Sequence, residues 1–119
     1  MDKVAHVNRA FGGYDLFVPD DDELVSRVET TDNLPAILTW YTHENGSRYL
    51  SVVNNSMTES INITTILKGA HKVWVVGFGP QEKEQIPAKW GDTTFRVSEE
   101  ATSMNTWLAP GQMELYRVE

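Results

Sequence analysis

The residues of this chain that could do chemistry are four tryptophans, three histidines and seventeen carboxylates. Little in their spacing makes a reactive site. His6, His43 and His71 have no metal-ligand spacing. The stretch GFGPQE (77–82) contains Gly-x-Gly, but the third glycine and a following Lys-Ser/Thr are missing. It reads as a turn after a strand, with Pro80 ending the pairing. No Gly-x-Ser-x-Gly elbow anchors a Ser/His/Asp set, and with no cysteine there is no thiolate nucleophile, disulfide or cysteine-held zinc. Glu99-Glu100 invites comparison with a glycosidase pair, whose carboxyl groups sit about 5 to 9 Å apart. Carboxylates this dense on a small surface come close by accident, so adjacency alone designates no pair. Asp20-Asp21-Asp22-Glu23 lacks the glycine and spacing of a calcium loop and reads as a solvated helix cap. No catalytic residue, metal or cofactor is expected, and the isolated chain is not expected to be an enzyme.

The tryptophans say more. A planar aromatic presents an apolar face to the C–H face of a sugar, or packs against a neighbouring domain. Trp40 and Trp74 lie inside apolar runs and read as core or interface. Trp90 sits in IPAKWGD beside Gly91, a loop, and Trp107 begins the terminal segment. Trp90, Trp40, Tyr41 and Trp107 are therefore the candidate contacts for carbohydrate or for another domain. Asn45-Gly-Ser, Asn54-Asn-Ser and Asn62-Ile-Thr match the N-glycosylation acceptor. Asn45 is better explained by a turn, and Asn54-Asn55-Ser56 by side-chain caps where a strand ends.

The elements that must carry these residues are mostly strands. AILTWYTH (36–43) and RYLSVVN (48–54) flank ENGS, and Asn45-Gly46 suits a two-residue type I′ hairpin turn. SINITTIL (60–67) alternates Ile61 and Ile63 with Asn62 and Thr64, and KVWVVGF (72–78) is nearly continuous apolar. DTTFRVS (92–98) predicts Phe95 and Val97 inside, with Thr94, Arg96 and Ser98 outside. QMELYRV (112–118), after the turn signal Pro110-Gly111, completes six strands. The rhythm predicts an all-β fold, an antiparallel two-sheet β-sandwich. Residues 1–35 read as a separate segment packing on it, with the sandwich domain at 36–119. In that segment Tyr14, Leu16 and Val18 alternate as a short strand. Leu24, Val25 and Val28 then give one apolar face of one or two helical turns.

A two-residue turn at Asn45-Gly46 would pair Tyr41 with Leu50, Thr39 with Val52, Leu38 with Val53 and Trp40 with Ser51. Both faces then carry large apolar groups, and Trp74 faces opposite to Val73 and Val75. A sheet in a sandwich ordinarily shows water one polar face. The second face is therefore expected to be covered, by residues 1–35, by another domain or by a ligand.

Composition sets the outer bounds. At 119 residues the chain is one domain, able to bury roughly 65% of its unfolded surface. Apolar residues make up 40% and charged residues 23%, which does not indicate disorder. A net charge of −7 and basic residues scattered singly argue against nucleic acid. No run approaches the ~18 apolar residues of a membrane helix, and MDKVAHVNRAFGGYDLF lacks the apolar stretch of a signal peptide. Location is left open: secreted or periplasmic if the chain belongs to a larger exported enzyme.

Taken together, ILTWYTHENGSRYLSVVNNS, then INITTIL, then WLAPGQMELYRVE resembles the β-sandwich at the C-terminus of many glycoside hydrolases. There it follows a (β/α)8 barrel, as in the α-amylase superfamily and several bacterial families. The pattern is an apolar strand (Ile37 to His43), a short turn (Asn45-Gly46), and a strand ending in Asn near Ser (Arg48 to Asn54, with Ser56). A final strand follows Pro-Gly (Gln112 to Val118). The similarity covers roughly residues 36–118. Catalytic carboxylates of such enzymes belong to the barrel, so the resemblance implies no functional residue here. It implies a non-catalytic accessory domain that supports or orients a catalytic domain of a carbohydrate-active enzyme. The alternatives are a carbohydrate-binding module that takes oligosaccharide on exposed aromatics, and a fibronectin-like, immunoglobulin-like interaction domain.

Overall fold

The computed structural model describes the backbone of residues 4–13, 18, 22–43, 46–76, 82–84, 89–90 and 93–119, and side chains at 18, 22–32, 34–43, 46–76 and 93–119. Within them the strands are β1 (Val4–Gly13), β2 (Val25–Thr30), β3 (Ala36–His43), β4 (Arg48–Asn54), β5 (Ile61–Lys68), β6 (Val73–Val76), β7 (Glu82–Glu84), β8 (Lys89–Trp90), β9 (Thr93–Val97), β10 (Ala101–Leu108) and β11 (Met113–Val118). Sheet A runs β1-β3-β4-β11-β6-β7 and sheet B runs β2-β5-β10-β9-β8, and every pairing is antiparallel. The fold is the expected β-sandwich. The core lies between the sheets: Leu38, Trp40, Leu50, Val52 and Tyr116 from sheet A meet Ile61, Ile63, Leu67, Phe95 and Met104 from sheet B. Burying each such side chain stabilises the fold by about 1.5–3 kcal/mol before entropy is counted.

Residues 1–35, set apart in the sequence, give an edge strand to each sheet: β1 pairs with β3, and β2 with β5. The helical turns expected near Leu24–Val28 are a strand. A bulge between Val25 and Arg27 turns Val25 and Val28 to the same inner side, and that three-residue spacing imitates a helical face. Nor does Asp22 cap a helix in solvent. It is buried, and its Oδ2 accepts from the N–H groups of Leu24 (3.1 Å) and Val25 (2.7 Å). Its Oδ1 accepts from Trp40 Nε1 (3.2 Å), and its carbonyl from Lys68 Nζ (2.6 Å). The alternation at Tyr14 to Leu16, the turn at 77–81, and Asp20 and Asp21 lie outside the described residues.

The β3–β4 hairpin has the expected strand limits but a register one residue different. Tyr41 lies opposite Tyr49, Trp40 opposite Leu50 and Leu38 opposite Val52. Three residues, 44–46, separate His43 from Ser47, where a two-residue turn was expected. His43 accepts from the Gly46 N–H (2.9 Å) and donates to the Ser47 carbonyl (2.7 Å), and Gly46 has φ 90°. That positive φ is the glycine position of a three-residue hairpin loop. A one-residue slip reverses a strand's faces: Leu50 and Val52 turn inward beside Trp40, and Tyr49 turns outward beside Tyr41.

Among the strands the sequence hid, which include β1, β10 is the central one. Its inner face is Thr102, Met104, Thr106 and Leu108, all buried, and half of these are threonines that read as polar. It nonetheless pairs with both β5 and β9 at the middle of sheet B. The terminal strand β11 is held on both sides, by β4 and β6. It enters through Ala109–Gln112, where the Gln112 N–H reaches the Ala109 carbonyl (3.0 Å) and Gly111 has φ 75°. Proline followed by a positive-φ glycine is the type II turn.

Candidate functional site

The two sheets present different outer faces. Register places side chains of sheet A in cross-strand rows: Ile37–Val53–Met113, Thr39–Ser51–Leu115, and Tyr41–Tyr49–Arg117–Trp74. The last row is a ladder of rings and one cation. Tyr41 and Tyr49 stack at 5.7 Å, His43 meets Tyr49 edge-on at 6.0 Å, and the Arg117 guanidinium lies 4.0 Å from the Trp74 ring centre. Such a guanidinium-on-indole contact contributes about 0.5–1 kcal/mol near the surface. Arg117 also donates to Glu119 at 2.6 Å.

This face is covered at one end and open at the other. Tyr41 and Tyr49 are each only 9% exposed and His43 is buried. Burial, with Tyr49 beside it, raises the Tyr41 phenol above its ordinary pKa. At the other end Ile37 and Met113 stand 37% and 49% exposed, with Val53 and Leu115 half-buried next to them. The expectation that sheet A carries large apolar groups on both faces holds, and covering is partial.

Sheet B shows water a polar face. Glu29, Thr64, Asn105 and Thr94 form one row, Arg27, Ile66, Ser103 and Arg96 the next, and Asn62 lies opposite Trp107. Trp107 is 51% exposed. Asn105 Nδ2 donates to Thr64 Oγ1 at 2.6 Å, and the Asn62 N–H to Thr31 Oγ1 at 3.1 Å. Among the described residues the buried Asn62 Oδ1 has no hydrogen-bond partner.

The sequence candidates therefore do not gather. Trp40 is in the core, Tyr41 lies under the covered end of sheet A, and Trp107 stands on the far side of sheet B. Trp90 pairs with Thr93 in β8, and its side chain lies outside the described residues. Sequence reasoning missed the row Ile37–Val53–Met113, because the expected register placed Val53 beside Leu38. The alternation of Met113 and Leu115 with Glu114 was the available signal. Glu99 and Glu100 occupy the exposed turn between β9 and β10, closed by the Ser98 N–H on the Ala101 carbonyl (2.8 Å). Val97, expected inside, is 46% exposed at the edge of the sandwich. Of the acceptor asparagines, Asn54 is fully buried with its side-chain amide hydrogen-bonded, so a glycan there is incompatible with this fold. Comparison with protein-family models, with curated proteins and with solved structures finds no match to this chain.

Proposed function

We propose that this chain is a non-catalytic accessory β-sandwich that docks on a larger partner through the open end of sheet A's outer face. The partner we favour is the catalytic domain of a carbohydrate-active enzyme, in keeping with the resemblance of residues 36–118. The observation that supports docking is the Ile37–Val53–Met113 row. It continues a face whose other end is already buried, and apolar surface left open in this way marks an interaction site. The double variant Ile37→Glu/Met113→Glu replaces the two exposed members of the apolar row without touching the core. It should keep the wild-type melting temperature and lose co-purification with a catalytic domain encoded in the same or a neighbouring reading frame. Unchanged co-purification would overturn the docking face, and a loss of folding would assign the row to internal packing.

A second reading is oligosaccharide binding on sheet B. Trp107 favours it, an exposed indole among the amide and hydroxyl groups of Asn62, Asn105 and Thr64. Calorimetric titration with soluble oligosaccharides should then show heat that Trp107→Ala abolishes while the melting temperature stays unchanged. Equal heats in both proteins would remove Trp107 from consideration.

A further inference from the structure

We propose that the outer face of sheet B binds an acidic polysaccharide, with Trp107 stacking on a sugar ring and Arg96 holding a carboxylate. The inference rests on the reading of this face as an oligosaccharide surface and names the class of ligand it takes.

The face is open to water. Every outward position of β5, β9 and β10 on it is exposed or half-buried, and so are Arg27 and Glu29 on β2. It differs from the outer face of sheet A in what its rings and cations are doing. On sheet A they are engaged with one another: Arg117 lies against Trp74 and bonds Glu119, and Tyr41 stacks on Tyr49. On sheet B they are not. Among the described residues the Arg96 guanidinium enters no ion pair, hydrogen bond or ring contact, and neither does the Trp107 indole. Arg27 meets Glu29 only at 3.9 Å, with both side chains more than half exposed. A pair so exposed contributes little.

Register sets the geometry. Ser103 lies directly opposite Arg96, with their Cβ atoms roughly 5 Å apart. A guanidinium offers a planar carboxylate two parallel N–H donors, and the hydroxyl beside it adds a third. Trp107 stands four residues from Ser103 along β10, roughly 14 Å away. That span exceeds one sugar ring, so an extended chain of several rings is needed to touch the indole and Arg96 together. Arg27 closes the far end of the Arg96 row and adds to the positive potential there.

Charge selects the ligand. The chain as a whole carries −7, which repels an anion. At physiological salt that repulsion is screened beyond about 8 Å, so the groups on the face itself decide. Among the described residues its strands present three cations, Arg27, Lys68 and Arg96, and one carboxylate, Glu29. Glu99 and Glu100 lie in the turn after β9, at the end of the face away from Trp107. A neutral sugar would cover Trp107 and leave Arg96 unused. An acidic peptide would use Arg96 but has no sugar ring to lay on the indole. A chain of uronic acid residues meets both.

The test is calorimetric titration of the full chain with oligogalacturonate and with oligomannuronate. Each is set against its methyl ester, which keeps the sugar chain and removes the charge. At least one acid should bind, and its ester should bind at least about tenfold more weakly. Arg96→Gln should weaken binding of the acid about tenfold and leave that of the ester unchanged. Trp107→Ala should abolish binding of both forms. Both side chains are exposed, so each variant should keep the wild-type melting temperature. Acid and ester bound equally, with both lost in Trp107→Ala, would overturn the acidic ligand and leave sugar binding on this face standing. Poly-glutamate bound as tightly as the acids, and indifferently to Trp107→Ala, would assign the face to charge alone. Binding of none of these ligands would remove sheet B as a sugar surface, and the proposal with it.

Discussion

Asn54 and Tyr116 are both fully buried polar residues of sheet A, and the sandwich treats them in opposite ways. Asn54 ends β4 and satisfies its whole side chain. Its Nδ2 donates to the carbonyls of Glu59 (2.7 Å) and Leu108 (3.0 Å), and its Oδ1 accepts from the Ser56 N–H (2.8 Å). Its backbone pairs with Gln112 and Gly111. Leu108 belongs to sheet B, so one side chain ties β4, the 55–60 loop and the opposite sheet together. Tyr116 also faces sheet B, with its ring edge-on to Phe95 at 6.5 Å. Its hydroxyl, however, has no partner in good hydrogen-bond geometry, although the Thr106 and Thr93 hydroxyls lie close enough to favour its ionised form weakly. The nearby Thr93 hydroxyl donates to Glu114 at 2.6 Å and lies 3.1 Å from the Thr106 hydroxyl. A buried polar group stabilises only when paired, and unpaired it costs about 1–3 kcal/mol. Asn54 is thus a fastener, and the Tyr116 hydroxyl is a liability carried by a ring that packs well.

The largest expected effect is at Asn54. Asn54→Ala strands the Leu108 and Glu59 carbonyls and the Ser56 N–H, and should lower unfolding stability by about 3 kcal/mol in a urea titration. A loss below about 1 kcal/mol would mean that the surrounding backbone finds other partners, and the contrast with Tyr116 would collapse.

Asp22 sharpens the same point from the other sheet's margin. Asp22→Ala releases the backbone amides of Leu24 and Val25, where β2 begins, and the Trp40 indole. It should cost about 2 kcal/mol by the same titration, with a change in the Trp40 fluorescence environment. Loss of stability without that spectral change would place the damage at the strand start alone.

Tyr116→Phe should have the smallest effect and the opposite sign. It keeps the ring and deletes the unpaired hydroxyl, so stability should stay level or rise by up to about 1 kcal/mol. A clear destabilisation would show that the hydroxyl is paired in solution. The pH dependence gives a second reading. Burial first, then the Glu114 charge, raise the Tyr116 phenol well above its ordinary pKa, against smaller opposing contributions from Thr106 and Thr93. Unfolded tyrosine ionises near pH 10, about where folded Tyr116 still holds its proton. Stability is therefore insensitive to this group below about pH 10 and falls as pH rises above it. Tyr116→Phe should make the loss between about pH 10 and 12 shallower than in the wild type.

Much of the fold was legible because strand period and turn chemistry are local. Alternation in Ile61–Lys68 and Met113–Val118, and Pro110-Gly111 before the latter, fixed elements that the structure contains. The Asn-Asn-Ser cap at the end of β4 was readable for the same reason, since Asn54 bonds the Ser56 N–H two residues on. Non-local features misled. β10 escaped because threonine packs inward at Thr102 and Thr106 once sheet A covers it. β2 looked helical because its bulge gives a three-residue spacing. The candidate faces were the least legible part, since a row such as Ile37–Val53–Met113 joins three strands through register.

The sequence by itself determined that this chain is all-β, where most central strands run, and that it lacks the spacing signals of a metal or nucleophile site. Each follows from periods, turns and spacings that a few neighbouring residues set. Only the tertiary structure decided which face β4 buries. A one-residue change in the 44–46 loop moves Leu50, Val52 and Tyr49 from one side to the other. It also decided that Trp40 is core while Trp107 is surface. Facing is a relation between strands distant in the chain, and the free energy of burying one set of side chains rather than another is what selects it.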